Sequence, residues 1–342
     1  MTITPVPVAH VGLGAIGREV VRLILRRPDL RVVAVCDISP RLVGTTLSSV
    51  LGEDLADEVV DVEVVESLRD VPRVAGLVVT HTTSSSLALC LPELLAAVDA
   101  GAQVVSSCEE LSYPWVKAPE AAKQLDAAAQ AAGVSVVGTG VNPGFAMDYL
   151  PVVLSGAAKR VDSVRVDRVQ DAGQRREPLQ AKVGVGISRR DFERRVADGS
   201  MGHVGLTESA QAVAAALGWD ATDTTETIEP VVALTPTRSA SGTIEPGRVA
   251  GIDQVAVVVV DGVERVRLHL RMAVGIGPSQ DDIWLTGDPD LHITIPGGLQ
   301  GDLATAAALV NTIGSIRRAE PGLRVMSDLP PPRPAPMPES HD

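Results

Sequence analysis

An apolar strand, a glycine-rich turn and an amphipathic helix open the chain, and this unit constrains its fold more than any other feature. Residues 6–11 form a short apolar run, and residues 15–26 repeat apolar side chains at helical spacing. Between them lies the pattern G-x-G-x-x-G, formed by Gly12, Leu13, Gly14, Ala15, Ile16 and Gly17. In this context the glycines allow a tight turn, close approach of a pyrophosphate to the backbone, and close packing of helix on strand. The pattern therefore predicts a dinucleotide site at the first βα turn.

Strand-like and helix-like segments continue to alternate as far as residue 140. Apolar, strand-like runs lie at residues 31–36, 75–80, 102–107 and 134–138, and helical patterns lie near residues 85–100 and 119–132. Such alternation is typical of right-handed βαβ units, whose parallel strands are covered by helices on both faces. The fold class predicted for residues 1–140 is α/β, a Rossmann doubly wound parallel sheet.

The pattern changes after Gly140. An apolar run at 255–260 is followed by Asp261-Gly262, a strong hairpin signal, and by a strand with one apolar face. The apolar face carries Val266, Leu268, Leu270 and Met272, and the other carries Arg265, Arg267, His269 and Arg271. Residues 141–299 are therefore predicted to form a second α+β domain with a mixed or antiparallel sheet, for substrate binding. The polar face of this sheet could be solvated or could serve for dimerisation, and the sequence does not decide between the two. Residues 300–328 are predicted to return to the Rossmann domain as a helix, with Asp302 as its N-cap and Leu303 on its apolar stripe. Residues 329–342 are predicted to form a disordered, proline-rich tail.

Asp37 ends the second strand, 20 residues after Gly17. A carboxylate there can accept hydrogen bonds from the adenosine ribose and repels a 2′-phosphate, which favours NAD, although Arg41 could accommodate NADP. Ligands of parallel sheets lie at the carboxyl ends of the strands. Further cofactor contacts are therefore expected from Ile38, Thr80, His81, Thr82, Ser107, Cys108 and Asn142.

Two adjacent acids, Glu109 and Glu110, follow the fifth strand, where a proton-transfer group for a nicotinamide reaction is expected. Adjacent side chains of an extended segment point in different directions, and the sequence does not decide which of the two faces the site. Candidate substrate contacts are Asn142, Phe145, Met147 and His203. The His, Asp and Glu residues do not show metal-ligand spacing, so a metal site is not expected.

Composition narrows the class of partner. With 30 basic and 43 acidic residues the net charge is −13, which argues against nucleic acid or an anionic membrane surface. We find neither an apolar run of the roughly 18–20 residues that a membrane span needs nor a secretory leader. The three cysteines are scattered along the chain. A cytoplasmic protein with reduced thiols is therefore expected.

Several stretches together resemble the 2,4-diaminopentanoate dehydrogenase and native amine dehydrogenase family. These are residues 12–17, 80–85, 107–114, 138–145, 202–206 with 208–209, 296–298 with 301–302, and 326–330. At the level of fold, the N-terminal half also resembles dihydrodipicolinate reductase. The resemblance implies an NAD(P)-dependent, reversible oxidative deamination of a primary amine to a ketone or aldehyde plus ammonia. It also implies that Glu109 is the acid/base, with Glu110 as the fallback, and that the protein is a homodimer.

Three alternatives stay open at this point. The substrate could be a diamino acid, whose carboxylate would need a basic partner such as Lys182, Arg175 or Arg176, whereas an apolar lining from Phe145 and Met147 would favour a simple alkyl amine. The enzyme could instead be a reductase of the dihydrodipicolinate reductase type, without ammonia exchange. It could also be a subunit that binds NAD without turnover.

Overall fold

The computed structural model describes residues 4–52, 55, 60–71, 73–173, 177–240 and 242–335. Its strands are β1 (Val6–Val11), β2 (Leu30–Cys36), β3 (Val64–Val65), β4 (Val78–His81), β5 (Gln103–Ser106), β6 (Ser135–Gly138), β7 (Arg160–Asp171), β8 (Asp223–Val232), β9 (Thr237–Ser239), β10 (Gly242–Ile244), β11 (Val249–Val260), β12 (Val263–Ala273), β13 (Gln280–Asp288), β14 (Leu291–Pro296) and β15 (Gly322–Arg324). Its helices are α1 (Ala15–Leu25), α2 (Leu47–Leu51), α3 (Leu87–Asp99), α4 (Pro119–Ala132), α5 (Tyr149–Ser155), α6 (Glu177–Lys182), α7 (Arg189–Ala197), α8 (Leu206–Ala216) and α9 (Gly301–Ile316). Short 3-10 turns lie at Leu68–Asp70, Glu109–Ser112 and Met326–Asp328.

The first of two compact units comprises Met1–Phe145 and Gly301–Asp342. Its sheet has the strand order β15-β6-β5-β4-β1-β2-β3, and every pair of neighbours is parallel. The order reverses between β1 and β4, and a doubly wound sheet binds its ligand at the carboxyl ends of the strands at such a point. The predicted Rossmann fold is confirmed.

Burial explains why these segments form a two-sided sheet. β1 is buried along nearly its whole length, and α1 buries one face of an amphipathic pattern that includes Val20 and Ile24. Helix α9 packs against α1 and buries Leu309 and Ile313. Helices α3 and α4 contact each other and form a separate apolar cluster with alternate strand residues, so the strands are covered on both faces, as their continuous apolar runs require.

The second unit, Ala146–Gln300, contains a mixed sheet with the order β14-β13-β7-β12-β11-β8. β7 and β12 are parallel, and the other neighbours are antiparallel. The predicted hairpin joins β11 to β12, and Asp261 and Gly262 both adopt positive φ at its turn (51° and 77°). Val266, Leu268 and Leu270 are buried on the inner face of β12, so the predicted mixed sheet with one apolar face is confirmed.

Three details of the sequence interpretation change. The units divide after Phe145 rather than after Gly140, because residues 141–145 hydrogen bond within the first unit, including Val141 N–H to Thr305 Oγ1 at 3.2 Å. Helix α9 begins at Gly301, so Asp302 lies within its first turn rather than before it, and Leu303 is 55% exposed rather than part of the buried stripe.

The predicted tail begins with ordered contacts to the first unit. Leu329 is buried, and Ser315 Oγ donates to the carbonyl of Pro331 at 3.5 Å. The chain is therefore attached to α9 beyond the predicted start of the tail. Residues 336–342 of the predicted tail lie outside the described residues.

Candidate active site

A cleft of about 620 Å³ opens at the carboxyl ends of β1, β2 and β4 in the first unit. Its lining comes from the glycine turn, the end of β2, the turn that follows β3, the loop after β4, and α3. The lining residues are Val11, Gly12, Gly14, Cys36, Asp37, Ile38, Glu66, Ser67, Leu68, Arg69, Thr82, Thr83, Pro92, Glu93 and Ala96. The cleft therefore lies at the point where the strand order reverses.

The glycine turn leaves room for a ligand while packing tightly beneath it. Gly12 has φ +94°, and a Cβ there would lie 2.8 Å from the carbonyl oxygen of Thr82. A Cβ on Gly17 would lie 1.8 Å from the carbonyl oxygen of Gly12, so α1 can approach β1 only without a side chain there. A Cβ on Gly14, the N-cap of α1, would meet nothing within 4 Å. This combination fits a pyrophosphate above the positive end of α1. Leu13, Ala15 and Ile16 complete the turn.

Asp37 is held in place by two backbone donors. Its Oδ2 accepts from Leu13 N–H at 2.7 Å and its Oδ1 from Ser39 N–H at 2.8 Å. The half-buried carboxylate lines the cleft with lone pairs left for ribose hydroxyls, beside Ile38, which is 75% exposed. Arg41 is exposed and does not line the cleft, whereas Arg69 does. The sequence reasoning missed Arg69 because a two-residue strand and a 3-10 turn carry no hydrophobic period.

A buried histidine, His10, hydrogen bonds to the backbone of the glycine turn. His10 Nε2 lies 2.9 Å from the carbonyl oxygen of Gly12, which can only accept, so Nε2 carries the proton and Nδ1 accepts from Thr80 Oγ1 at 2.8 Å. Burial lowers the pKa of His10 to about 4, which keeps it neutral. Thr82 Oγ1 also donates to the Gly12 carbonyl at 2.8 Å. Thr80, predicted to contact the cofactor, is buried beneath the turn, whereas Thr82 lines the cleft.

His81 is also buried, and it holds a carboxylate at the cleft. Its Nε2 lies 2.8 Å from Glu93 Oε2 and its Nδ1 lies 2.9 Å from Ser106 Oγ. Thr83 Oγ1 donates to the same oxygen of Glu93 at 2.9 Å. The hydrogen bond from His81 lowers the pKa of Glu93. His81 therefore positions Glu93. The sequence reasoning missed this residue, although it is an acid in the middle of an apolar helical segment.

The two glutamates after β5 have different environments. Glu110 Oε2 accepts from the backbone N–H of Leu87, the first residue of α3, at 2.7 Å. Its own N–H donates to the carbonyl of Ser85 at 3.2 Å, so both its side chain and its backbone attach to the start of α3. Glu109 begins the 3-10 turn and is half-buried, and its carbonyl accepts from Ser112 Oγ at 2.8 Å. The structure thus gives Glu110 a capping contact at the start of α3.

The other predicted site residues are divided between the two units. In the first, Cys108 is buried with its thiol directed to the Ser85 carbonyl, Asn142 is buried, and Ser107 and Phe145 are half-buried. In the second, Met147 is buried and His203 is half-buried, with its N–H donating to Gln254 Oε1 at 2.7 Å. Of the basic candidates for a substrate carboxylate, Lys182 is exposed, while Arg175 and Arg176 lie outside the described residues.

Among the residues that the structure describes, no helix is long and apolar enough to cross a bilayer. Within the same residues, no group of three or more His, Cys, Asp or Glu side chains is arranged to hold a metal ion.

Residues 145–340 match the family model of the 2,4-diaminopentanoate dehydrogenase C-terminal domain. The 2,4-diaminopentanoate dehydrogenase of Acetoanaerobium sticklandii is 32% identical over 337 residues, which cover 96% of this chain and 94% of that protein. The chain belongs to the 2,4-diaminopentanoate dehydrogenase family. The family and the oxidoreductase class expected from the motifs are thereby confirmed.

Other similar proteins are named amine dehydrogenases. The amine dehydrogenase of Streptomyces virginiae is 27% identical over 343 residues, covering 93% of this chain and 94% of that one. The structure of an amine dehydrogenase from Mycobacterium smegmatis superposes with a TM-score of 0.84 at 23% identity, covering 98% and 99% of the two chains. That similarity shows that the two proteins share a fold.

Proposed function

We propose that this protein is an NAD(P)-dependent amine dehydrogenase that converts a primary amine reversibly into a ketone or aldehyde plus ammonia. Family membership supports the amine as substrate class. The glycine turn supports the dinucleotide, because Gly14 leaves open space above α1 while Gly12 and Gly17 exclude any side chain. Asp37, oriented by Leu13 and Ser39, favours a ribose with a free 2′-hydroxyl, and hence NAD.

We assign the acid/base role to Glu109. A bound nicotinamide supplies the acceptor for the hydride that leaves the amine-bearing carbon. Because an ammonium group cannot release a hydride, the Glu109 carboxylate first removes a proton from the substrate nitrogen. Once that proton has passed to solvent, the carboxylate stabilises the substrate iminium ion electrostatically and takes a proton from the water that adds to it. It returns this proton to the nitrogen as ammonia leaves. In the reverse direction it orients ammonia towards the carbonyl carbon.

The observation that carries this assignment is the hydrogen bond between Glu110 and the start of α3. With Glu110 Oε2 accepting from Leu87 N–H, the side chain of Glu110 is oriented by a helix terminus. Glu109, immediately after the buried Cys108, is the neighbouring carboxylate at the carboxyl end of β5. This edge of a parallel sheet is where the reacting group of a dinucleotide enzyme is expected.

A diamino acid is the second candidate substrate. It is favoured by the 32% identity over nearly the whole chain with an enzyme named for 2,4-diaminopentanoate. Such a substrate carries a carboxylate, which needs a cationic or hydrogen-bonding partner in the pocket. A simple alkyl amine needs apolar surface instead. The two substrate classes therefore call for different pockets.

A coupled absorbance assay tests the proposed function. Oxidation of NADH and NADPH is followed with a panel of ketones and aldehydes, with and without excess ammonium at alkaline pH, and the reverse reaction with alkyl amines and 2,4-diaminopentanoate. Oxidation that requires ammonium supports an amine dehydrogenase. Oxidation without ammonium would instead indicate a carbonyl reductase, and cofactor binding without turnover on any substrate would indicate a binding protein.

We also propose that the protein is a homodimer joined through the outer face of the mixed sheet. On this face Trp284 stacks on His292 with ring centroids 4.7 Å apart, and the Arg165 guanidinium lies 5.0 Å from the Trp284 ring. Valines of β11 add half-buried apolar surface: Val255, Val257 and Val259. Light scattering coupled to gel filtration should give twice the chain mass, and Trp284→Glu should shift that value towards one chain. A single-chain mass for the unmodified protein would contradict this proposal.

A further inference from the structure

Apolar side chains from three elements line the outer part of the cleft. Ile38 follows β2, Leu68 lies in the 3-10 turn after β3, and Pro92 and Ala96 are four residues apart on α3. Residues with this spacing share one face of a helix. Such a lining fits a flat heteroaromatic ring, and in the dinucleotide proposed above the ring nearest the end of β2 is the adenine, since Asp37 defines the ribose position.

Glu93 lies three residues before Ala96 on α3 and also lines the cleft. Its two described hydrogen bonds, from His81 Nε2 and Thr83 Oγ1, both reach Oε2. Within the described residues, Oε1 accepts no hydrogen bond. The buried ring of His81 is in turn held by Ser106 Oγ, so the carboxylate is oriented from beneath.

A carboxylate fixed in this way can only accept hydrogen bonds. The adenine ring offers one matching donor on its edge, the exocyclic 6-amino group. Hypoxanthine presents a carbonyl oxygen at this position and carries its donor on ring N1 instead, so a carboxylate fixed opposite position 6 faces another acceptor, which repels it. The cleft thus has the chemistry to distinguish the two bases.

We propose that Glu93 recognises the adenine 6-amino group and thereby makes this enzyme select an adenine dinucleotide over its hypoxanthine analogue. The inference rests on the proposed function, because it takes the cleft as the dinucleotide site. It goes beyond that function by assigning a specificity-determining residue in α3, outside the glycine motif. His81 acts as a positioning residue that presents the carboxylate.

The test compares the dissociation constants of NADH and of the reduced hypoxanthine dinucleotide. Both ligands carry the same nicotinamide, so its fluorescence reports binding of either. In the unmodified enzyme we expect NADH to bind about tenfold more tightly, the difference typical of one hydrogen bond to a charged acceptor. Glu93→Gln keeps an oxygen for His81 and Thr83 but adds a donor for the hypoxanthine carbonyl, and it should bring the ratio to within about twofold of one.

Glu66→Gln is the matched control, because it removes the same charge from another glutamate of the cleft. It should keep the preference of the unmodified enzyme, and thermal melting should show that both variants fold. The inference is overturned if the unmodified enzyme binds the two dinucleotides alike, if Glu93→Gln weakens both equally, or if Glu66→Gln alone abolishes the preference. Failure of both NADH and NADPH to bind would instead overturn the proposed function.

Discussion

Exchanging the two adjacent glutamates one at a time should separate catalysis from folding. Glu110 caps α3 through Leu87 N–H at 2.7 Å, whereas the acid/base role is assigned to Glu109. The informative variants are Glu109→Gln, Glu110→Gln and Glu110→Ala. Each glutamine keeps the size of the side chain and an accepting oxygen but removes the charge, and the alanine removes the acceptor as well.

The size of each effect follows from these contacts. Loss of a helix cap costs about 1 kcal/mol, and loss of a negative charge at a helix N-terminus a further 0.3–1 kcal/mol or so. Glu110→Ala should therefore lower the free energy of unfolding by about 1–2 kcal/mol and the melting temperature by roughly 2–8 °C. Glu110→Gln should cost less than half of this. Glu109→Gln should lower kcat by about 100-fold to 10,000-fold, the range for loss of a general acid/base, with little change in stability.

Thermal melting, NADH binding by fluorescence and steady-state deamination, measured on all three variants, check these values. We expect Glu109→Gln to bind NADH normally and to melt like the unmodified enzyme while losing turnover. Glu110→Gln should keep turnover within a few-fold. The assignment is refuted if Glu109→Gln keeps most of its turnover, or if Glu110→Gln loses activity without losing stability.

Three further predictions concern the glycine turn and its surroundings. Asp37→Ala should lower the affinity for NAD more than the affinity for NADP, as measured by competition binding. Equal losses of affinity would show that Asp37 does not recognise the ribose. Burial lowers the pKa of His10 from 6.5 to about 4, so between these pH values the imidazole is protonated in the unfolded chain but not in the folded one. The free energy of unfolding should therefore fall by about 3 kcal/mol from pH 6.5 to pH 4. Denaturant titrations of His10→Gln should show a weaker dependence of this free energy on pH. Gly17→Ala should lower the melting temperature, since the Cβ of the new alanine would overlap the Gly12 carbonyl. Gly14→Ala should keep the melting temperature, because a Cβ there meets nothing within 4 Å, but it should weaken cofactor binding.

The sequence predicts those parts of the fold that local patterns encode. The strand–glycine–helix unit at residues 6–26 and the hairpin at Asp261-Gly262 have short-range signals, and both are present in the structure. The prediction of the apolar stripe on α9 is less accurate, because helical spacing alone does not tell which apolar residue lies at the edge of the buried face. Leu303 is such a residue, and it is exposed.

Contacts between residues far apart in the chain are what the sequence could not predict. The sequence places Thr80 and His81 beyond a strand end, where cofactor contacts are expected, but they are the last two residues of β4 and their side chains hydrogen bond to His10 and Glu93. Likewise, the hydrogen bond from Leu87 to Glu110 spans 23 residues, and it distinguishes two carboxylates that are adjacent in the sequence. Only the packing of α3 beside the turn after β5 creates that difference.

Incorporation of labelled ammonium tests the central claim most directly. The enzyme is incubated with NADH, the best carbonyl substrate of the panel and ammonium carrying heavy nitrogen, and the products are analysed by mass spectrometry. We predict a primary amine that contains the heavy nitrogen and is formed in the same amount as NADH is consumed. An alcohol, or any reduced product without the label, would contradict the claim that this protein is an amine dehydrogenase.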